Sequence, residues 1–235
     1  MTEMNQPAER TIILHYHLFK NAGTSVDAIL KRNFGDKWVT REFPAMGENN
    51  TALVEEWILE TPDAIAYSSH TMMGPIPEVE GVRVISFMLL RDPIERIKSA
   101  YRFERTQQAD TWGAKLAKEH DFEGYVRARL ARTGDRQCRN FQTYRLASLI
   151  PGNEAELDRA REALRKITVA RNVRFFNKAI RKLEVEIRKA HPGFNSDSVV
   201  LNSSPDASPT PTSESLQELL IRTNDFDLEI ARQTL

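Results

Sequence analysis

The chain has 235 residues, and its 33 lysines and arginines match its 33 aspartates and glutamates, which argues against a general nucleic-acid or membrane-surface role. A chain of this length buries about 70–75 % of its unfolded surface and needs no covalent staple, so one domain over 1–235 is expected. Cys138 is the only cysteine, the N-terminus lacks a signal-like apolar core, and no apolar run reaches ~18–20 residues, so a soluble, cytoplasmic protein without transmembrane segments or an intramolecular disulfide is predicted.

In chain order, Thr11–Leu14 is a short β-branched run that predicts a buried strand. A turn-like stretch from His15 to Gly23 follows, and from Thr24 the spacing of Val26, Ile29 and Leu30 predicts a helix ended by Asn33-Phe-Gly35. Thr51–Glu60 predicts a second helix, closed by Pro62, and Ala64–Ser68 a second strand. Val82–Leu90 is almost continuously apolar, as a parallel strand covered on both faces must be. Asp92 caps and Pro93 opens the helix after it, whose inner side carries Ile94, Ile97 and Tyr101.

Residues 105–150 read as short helices with an arginine bias, from Arg127, Arg129, Arg132, Arg136 and Arg139 to Arg145. An amphipathic helix is expected over Glu154–Lys166, a strand over Ile167–Ala170, and a helix over Phe175–Lys189. Asn195–Thr212, rich in serine and proline, reads as loop, and Ser215-Leu-Gln-Glu218 fits a capping box for a last helix. Strands separated by helices predict an α/β fold, a parallel sheet flanked by helices with a helical C-terminal portion. Ligands of such sheets bind beyond the carboxyl ends of the strands, here after Leu14, Ser68 and Leu90.

Lys20-Asn-Ala-Gly-Thr-Ser25 lies between the first strand and its helix. Gly23 would let the backbone approach a ligand, the helix start offers N–H donors and a positive dipole end, and Lys20, Thr24 and Ser25 add a charge and hydroxyls. The stretch fits a phosphate cradle or an ordinary strand–turn–helix. It is not a Walker A loop, whose lysine directly precedes the hydroxyl residue. Arg91, at the end of a buried strand, can grip a phosphate with two hydrogen bonds, and Ser99 on the following helix can add a hydroxyl. The plainer reading is a local helix start.

Together these stretches resemble a known family. His17-Leu-Phe-Lys-Asn-Ala-Gly-Thr-Ser25 is similar to the 5′-phosphosulfate loop of carbohydrate sulfotransferases, with Phe19 and Asn21 where proline and threonine are usual. Leu89-Leu-Arg-Asp-Pro-Ile-Glu-Arg-Ile-Lys-Ser-Ala-Tyr101 resembles their 3′-phosphate element. Asn140-Phe-Gln-Thr-Tyr-Arg-Leu-Ala147 is similar to a segment of the heparan sulfate 2-O-sulfotransferase-like group, and softer likenesses cover Ile167–Leu183 and Asn224–Leu228. The resemblance implies a P-loop-NTPase-like sheet and 3′-phosphoadenosine 5′-phosphosulfate as donor. Its phosphates would sit on Lys20, Asn21, Ala22, Gly23, Thr24, Ser25, Arg91 and Ser99. It also implies a hydroxyl-bearing acceptor, in this family a saccharide, and no metal.

Such a transfer needs a base for the acceptor's proton and a cation for the leaving phosphate. His70 is the candidate base, in Ser68-Ser-His-Thr-Met-Met-Gly74, which resembles the family's Gly-His-x-x-x-Gly segment with Ser69 in place of glycine. Histidine titrates near neutral pH, as a general base should. His17 is the second choice, and Lys20 the electrophilic partner. A nucleotide-dependent phosphotransferase and an inactive nucleotide-binding module are the alternatives, and the sequence leaves the acceptor and the oligomeric state open.

Overall fold

The computed structural model describes residues 10–44, 49–197 and 210–234. Strands β1 (Arg10–Tyr16), β2 (Trp38–Thr40), β3 (Ala66–Ser69), β4 (Val82–Leu90) and β5 (Val169–Asn172) form one five-stranded sheet in the order β2-β3-β1-β4-β5. Every pairing is parallel. Helices α1 (Gly23–Phe34), α2 (Thr51–Glu60), α3 (Pro93–Thr106), α4 (Trp112–Glu119), α5 (Phe122–Ala131), α6 (Phe141–Ala147), α7 (Glu156–Lys166), α8 (Phe176–Ile187), α9 (Glu214–Thr223) and α10 (Asp225–Gln233) surround it. The α/β expectation and its flanked parallel sheet hold.

Side chains alternate across β1, and the two sets enter different cores. Ile12, Leu14 and Tyr16 pack with Trp57 and Ile58 of α2, Leu146 of α6 and Ala160 and Ala163 of α7. Ile13 points to the opposite face with Ile85 and Phe87, against Ile29 and Leu30 of α1 and Ile180 and Leu183 of α8. A third cluster joins α3, α4, α5 and α9 through Ile97, Tyr101, Leu116, Tyr125 and Leu220. β1 and β4 therefore sit centrally, covered on both faces, and their C-terminal ends aim Leu18–Gly23 and Arg91–Asp92 at the same rim of the sheet.

Several boundaries differ from the sequence reading. β2 was not anticipated, because three residues, Trp38-Val-Thr40, are too short to show a period. The strand expected at Ile167–Ala170 lies at Val169–Asn172, and Ile167 caps α7 instead. The C-terminal cap is Ser213, whose hydroxyl accepts from the Leu216 N–H at 3.2 Å, so Ser215 lies inside α9 and starts no capping box. The expected last helix is two, α9 and α10, divided at Asn224. Most of the loop expected over Asn195–Thr212 lies outside the described residues.

Candidate active site

The segment joining β1 to α1 carries two non-glycine residues with positive φ, Lys20 at 65° and Ala22 at 60°. Such conformations cost free energy for residues with a Cβ, and they cluster where the surrounding structure fixes a site. Gly23 does not supply the turn; it is already the first residue of α1. It is glycine for another reason, because a Cβ there would lie 1.9 Å from Cδ2 of the His17 ring. No side chain caps α1 and its first turn holds no acid, so the helix start is open to an anion. The hydroxyls of Thr24 and Ser25 have no hydrogen-bond partner among the described residues. Gly23→Ala must displace the His17 ring, and we expect a loss of about 2–4 kcal/mol, combining overpacking with a broken buried hydrogen bond. Thermal or urea unfolding checks this.

Asn21 is buried at 1 % exposure, and its side chain turns inward rather than toward the rim. Its amide donates to the Leu89 carbonyl and to Gln142 Oε1, both at 2.8 Å, which leaves no side-chain donor for a phosphate. Lys20 forms no ion pair among the described residues, and its Nζ rests 4.3 Å from the centre of the Phe103 ring, which stands edge-on to Phe19. Burial, then the neighbouring Arg91 and Arg102, lower the lysine's pKa.

At the end of β4, Asp92 caps α3 by accepting from the N–H groups of Ile94 and Glu95, both at 3.0 Å. This fixes Arg91, whose guanidinium donates to the Lys20 carbonyl at 3.1 Å. The two sequence-predicted phosphate anchors therefore touch. Ser99 sits on the same helix, 8 % exposed, with a hydroxyl that has no partner among the described residues.

His70 lies immediately beyond β3. Its Nδ1–H donates to the His17 carbonyl at 3.0 Å; a carbonyl can only accept, so the neutral ring keeps its free lone pair on Nε2. The His17 ring lies against it with centroids 3.8 Å apart. His17 Nδ1 and His15 Nδ1 each lie 2.9 Å from one oxygen of the Asp27 carboxylate, one turn into α1. Although burial alone would raise it, the bonds from both histidines hold the Asp27 carboxyl well below the usual range. Burial, followed by the His17 charge, lowers the pKa of His70, so the ring is neutral at pH 7.

Two further groups hold the His70 backbone. Glu42, beyond β2, accepts from the His70 N–H at 3.1 Å and from the Thr71 hydroxyl at 2.7 Å. The buried Arg145 donates to the carbonyls of His70 and Met72, both at 2.8 Å. Sequence reasoning missed Asp27 and Glu42. His15 in β1 and His17 just beyond its end stand two residues apart, a spacing that signals a shared partner, but Glu42 follows a strand too short to detect. His15, His17 and Asp27 also bring three metal-competent atoms within 4.8 Å, a grouping not foreseen in the sequence. Both carboxylate oxygens are already engaged by ring nitrogens.

The arginine-rich stretch divides: Arg127 and Arg132 are exposed, whereas Arg129 and Arg145 are buried. Arg127 pairs with Glu123, Arg129 with Glu104 and Asp135, and Arg136 with Glu156. Arg132 lies over Trp112, Arg139 donates to the Leu130 carbonyl, and Arg145 serves the His70 loop.

An open helix start, a lysine and an arginine gather at one rim of a parallel sheet, beside a histidine that presents a free nitrogen. The chain belongs to the sulfotransferase family: the family model described as "Sulfotransferase family" matches residues 8–230. It is also 38 % identical over 202 residues to an uncharacterized protein of Archaeoglobus fulgidus, covering 82 % of this chain and 79 % of that one. Membership implies sulfuryl transfer as the general chemistry. Among the described residues no helix is long and apolar enough to cross a membrane.

Proposed function

We propose that this chain, as one sulfotransferase domain, moves a sulfuryl group from 3′-phosphoadenosine 5′-phosphosulfate to a hydroxyl, which the family resemblance makes that of a carbohydrate. Lys20, the open start of α1 and the hydroxyls of Thr24 and Ser25 receive the 5′-phosphosulfate; Arg91 and Ser99 receive the 3′-phosphate. Asn21 contributes by holding the loop from within. The acceptor oxygen attacks sulfur in line with the bridging oxygen of the donor. As the new S–O bond forms, the hydroxyl proton passes to Nε2 of His70. The old S–O bond breaks, and its electron pair leaves on the 5′-phosphate, where Lys20 meets the charge.

One observation carries this reading. The His17 carbonyl orients His70, and the Lys20 carbonyl, in the same short loop, receives Arg91. Base and both anchors are thus referred to one piece of backbone, as a concerted transfer requires. The acceptor hydroxyl is received beside His70, near Glu42 and Thr71.

Incubation with sulfur-labelled donor and a panel of neutral and anionic saccharides, phenols and simple alcohols tests the proposal. We expect label on at least one acceptor, with an equal amount of 3′-phosphoadenosine 5′-phosphate released. Binding of the donor without label on any acceptor would favour the inactive module.

A further inference from the structure

Resting on the donor reading above, we propose that Gln142 is a positioning residue that sets the spacing between the two phosphate anchors. The donor's 5′- and 3′-phosphates are joined through one ribose, so the groups that bind them must stand at a fixed separation. Gln142, at the start of α6, is fully buried. Its Oε1 accepts from Asn21 Nδ2 in the β1–α1 loop and from the main-chain N–H of Arg91, both at 2.8 Å. Its Nε2 donates to the Arg91 carbonyl at 2.8 Å. One rigid carboxamide therefore holds one anchor by its side chain and the other by both of its main-chain groups. The orientation of the amide is unambiguous, since two donors converge on its oxygen and a carbonyl faces its nitrogen.

Gln142 is itself held by the C-terminal helix. Asp227 of α10, fully buried, accepts from the Gln142 N–H at 3.1 Å and from the Thr143 N–H and hydroxyl at 2.7 Å. Asn140 and Asn224 close the junction, Asn140 Oδ1 accepting from the Asp227 N–H at 3.2 Å and Asn224 Oδ1 from the Asn140 N–H at 3.1 Å. The segments Asn140–Ala147 and Asn224–Leu228 thus act on the site without reaching its rim.

The test compares dissociation constants of 3′-phosphoadenosine 5′-phosphate, adenosine 5′-monophosphate and adenosine 3′-monophosphate for wild type, Gln142→Met and Asn21→Ala. Each monophosphate needs one anchor; the bisphosphate needs both in register. We expect Gln142→Met to weaken the bisphosphate on the order of 10- to 100-fold, as loss of buried hydrogen bonds predicts, and each monophosphate by less than about 3-fold. Asn21→Ala, which cuts the same bridge at its other end, should reproduce the selective loss, and the double variant should be no worse than Gln142→Met alone. If Gln142→Met does not fold, Asn21→Ala decides the matter. An equal loss for all three nucleotides, or no loss, overturns the role of Gln142 while leaving the donor assignment intact. A wild-type protein that does not bind the bisphosphate overturns both.

Discussion

His70→Ala is expected to lower turnover by about 10²- to 10⁴-fold while leaving the donor dissociation constant within about 2-fold. The separation follows from where the histidine stands. Its backbone is held by Glu42 and Arg145, so removal of the ring subtracts the free Nε2 and the contacts with His17 while the chain around it stays held. Because burial and the His17 charge depress its pKa, the acid limb of kcat/KM should have its midpoint below the ordinary 6.5. The sign is fixed: protonation removes the base, so activity falls as pH drops through that value, and the limb should vanish in His70→Ala. Steady-state kinetics across pH measures both effects. A variant that keeps most of its turnover, or keeps the acid limb, would show that another group takes the proton.

Lys20→Ala should damage both binding and turnover. The ammonium meets the bridging oxygen as charge develops there, and loss of one such preorganised donor costs about 10²- to 10³-fold in kcat. We expect the donor dissociation constant to rise as well, by roughly 10-fold, since a charge-assisted hydrogen bond to the ground-state phosphosulfate is lost. Nζ lies 4.3 Å from the centre of the Phe103 ring. Phe103→Leu, which removes that resting place and keeps an apolar neighbour, should change kcat by only a few-fold, a control for general disturbance. Burial and the charges of Arg91 and Arg102 depress the lysine's pKa, so activity should fall on the alkaline side at a pH below the ordinary 10.5. Unchanged kcat in Lys20→Ala would remove the lysine from the chemistry.

The scaffold was legible in the sequence wherever an element was long or carried a strong period. Val82–Leu90 was read at its observed bounds because seven of its nine residues are apolar, as a parallel strand covered on both faces requires. Asp92-Pro93 marked the start of α3 for the local reason that aspartate caps and proline suits the first turn. β2 and the place of the Ser213 cap were hidden because three residues and a run of serines carry no unique signal. Gly23 carries a role that the sequence did not suggest: the positive φ values fall at Lys20 and Ala22, and the absence of a Cβ at Gly23 makes room for His17.

The site was legible in its first contacts and opaque behind them. Lys20, Arg91 and His70 are charged or titratable residues at strand ends, and local chemistry is enough to find them. Glu42 and Gln142 act through partners distant in sequence, Gln142 reaching Asn21 across 121 positions, and no local pattern encodes such a meeting. The arginine run holds two kinds of residue that only the structure separates: Arg127 and Arg132 are exposed, whereas Arg129 is buried against Glu104 and Asp135.

Thermal unfolding with 3′-phosphoadenosine 5′-phosphate, beside adenosine 5′-monophosphate and Mg-ATP, tests the central claim without knowledge of the acceptor. At about 100 times its dissociation constant the bisphosphate should add about 2.7 kcal/mol, or about 5–10 °C for a chain of this size, and exceed both other nucleotides. A shift with Mg-ATP alone would point to phosphoryl transfer, and no shift with any of the three would contradict the assignment of Lys20–Ser25, Arg91 and Ser99 as the donor's phosphate anchors.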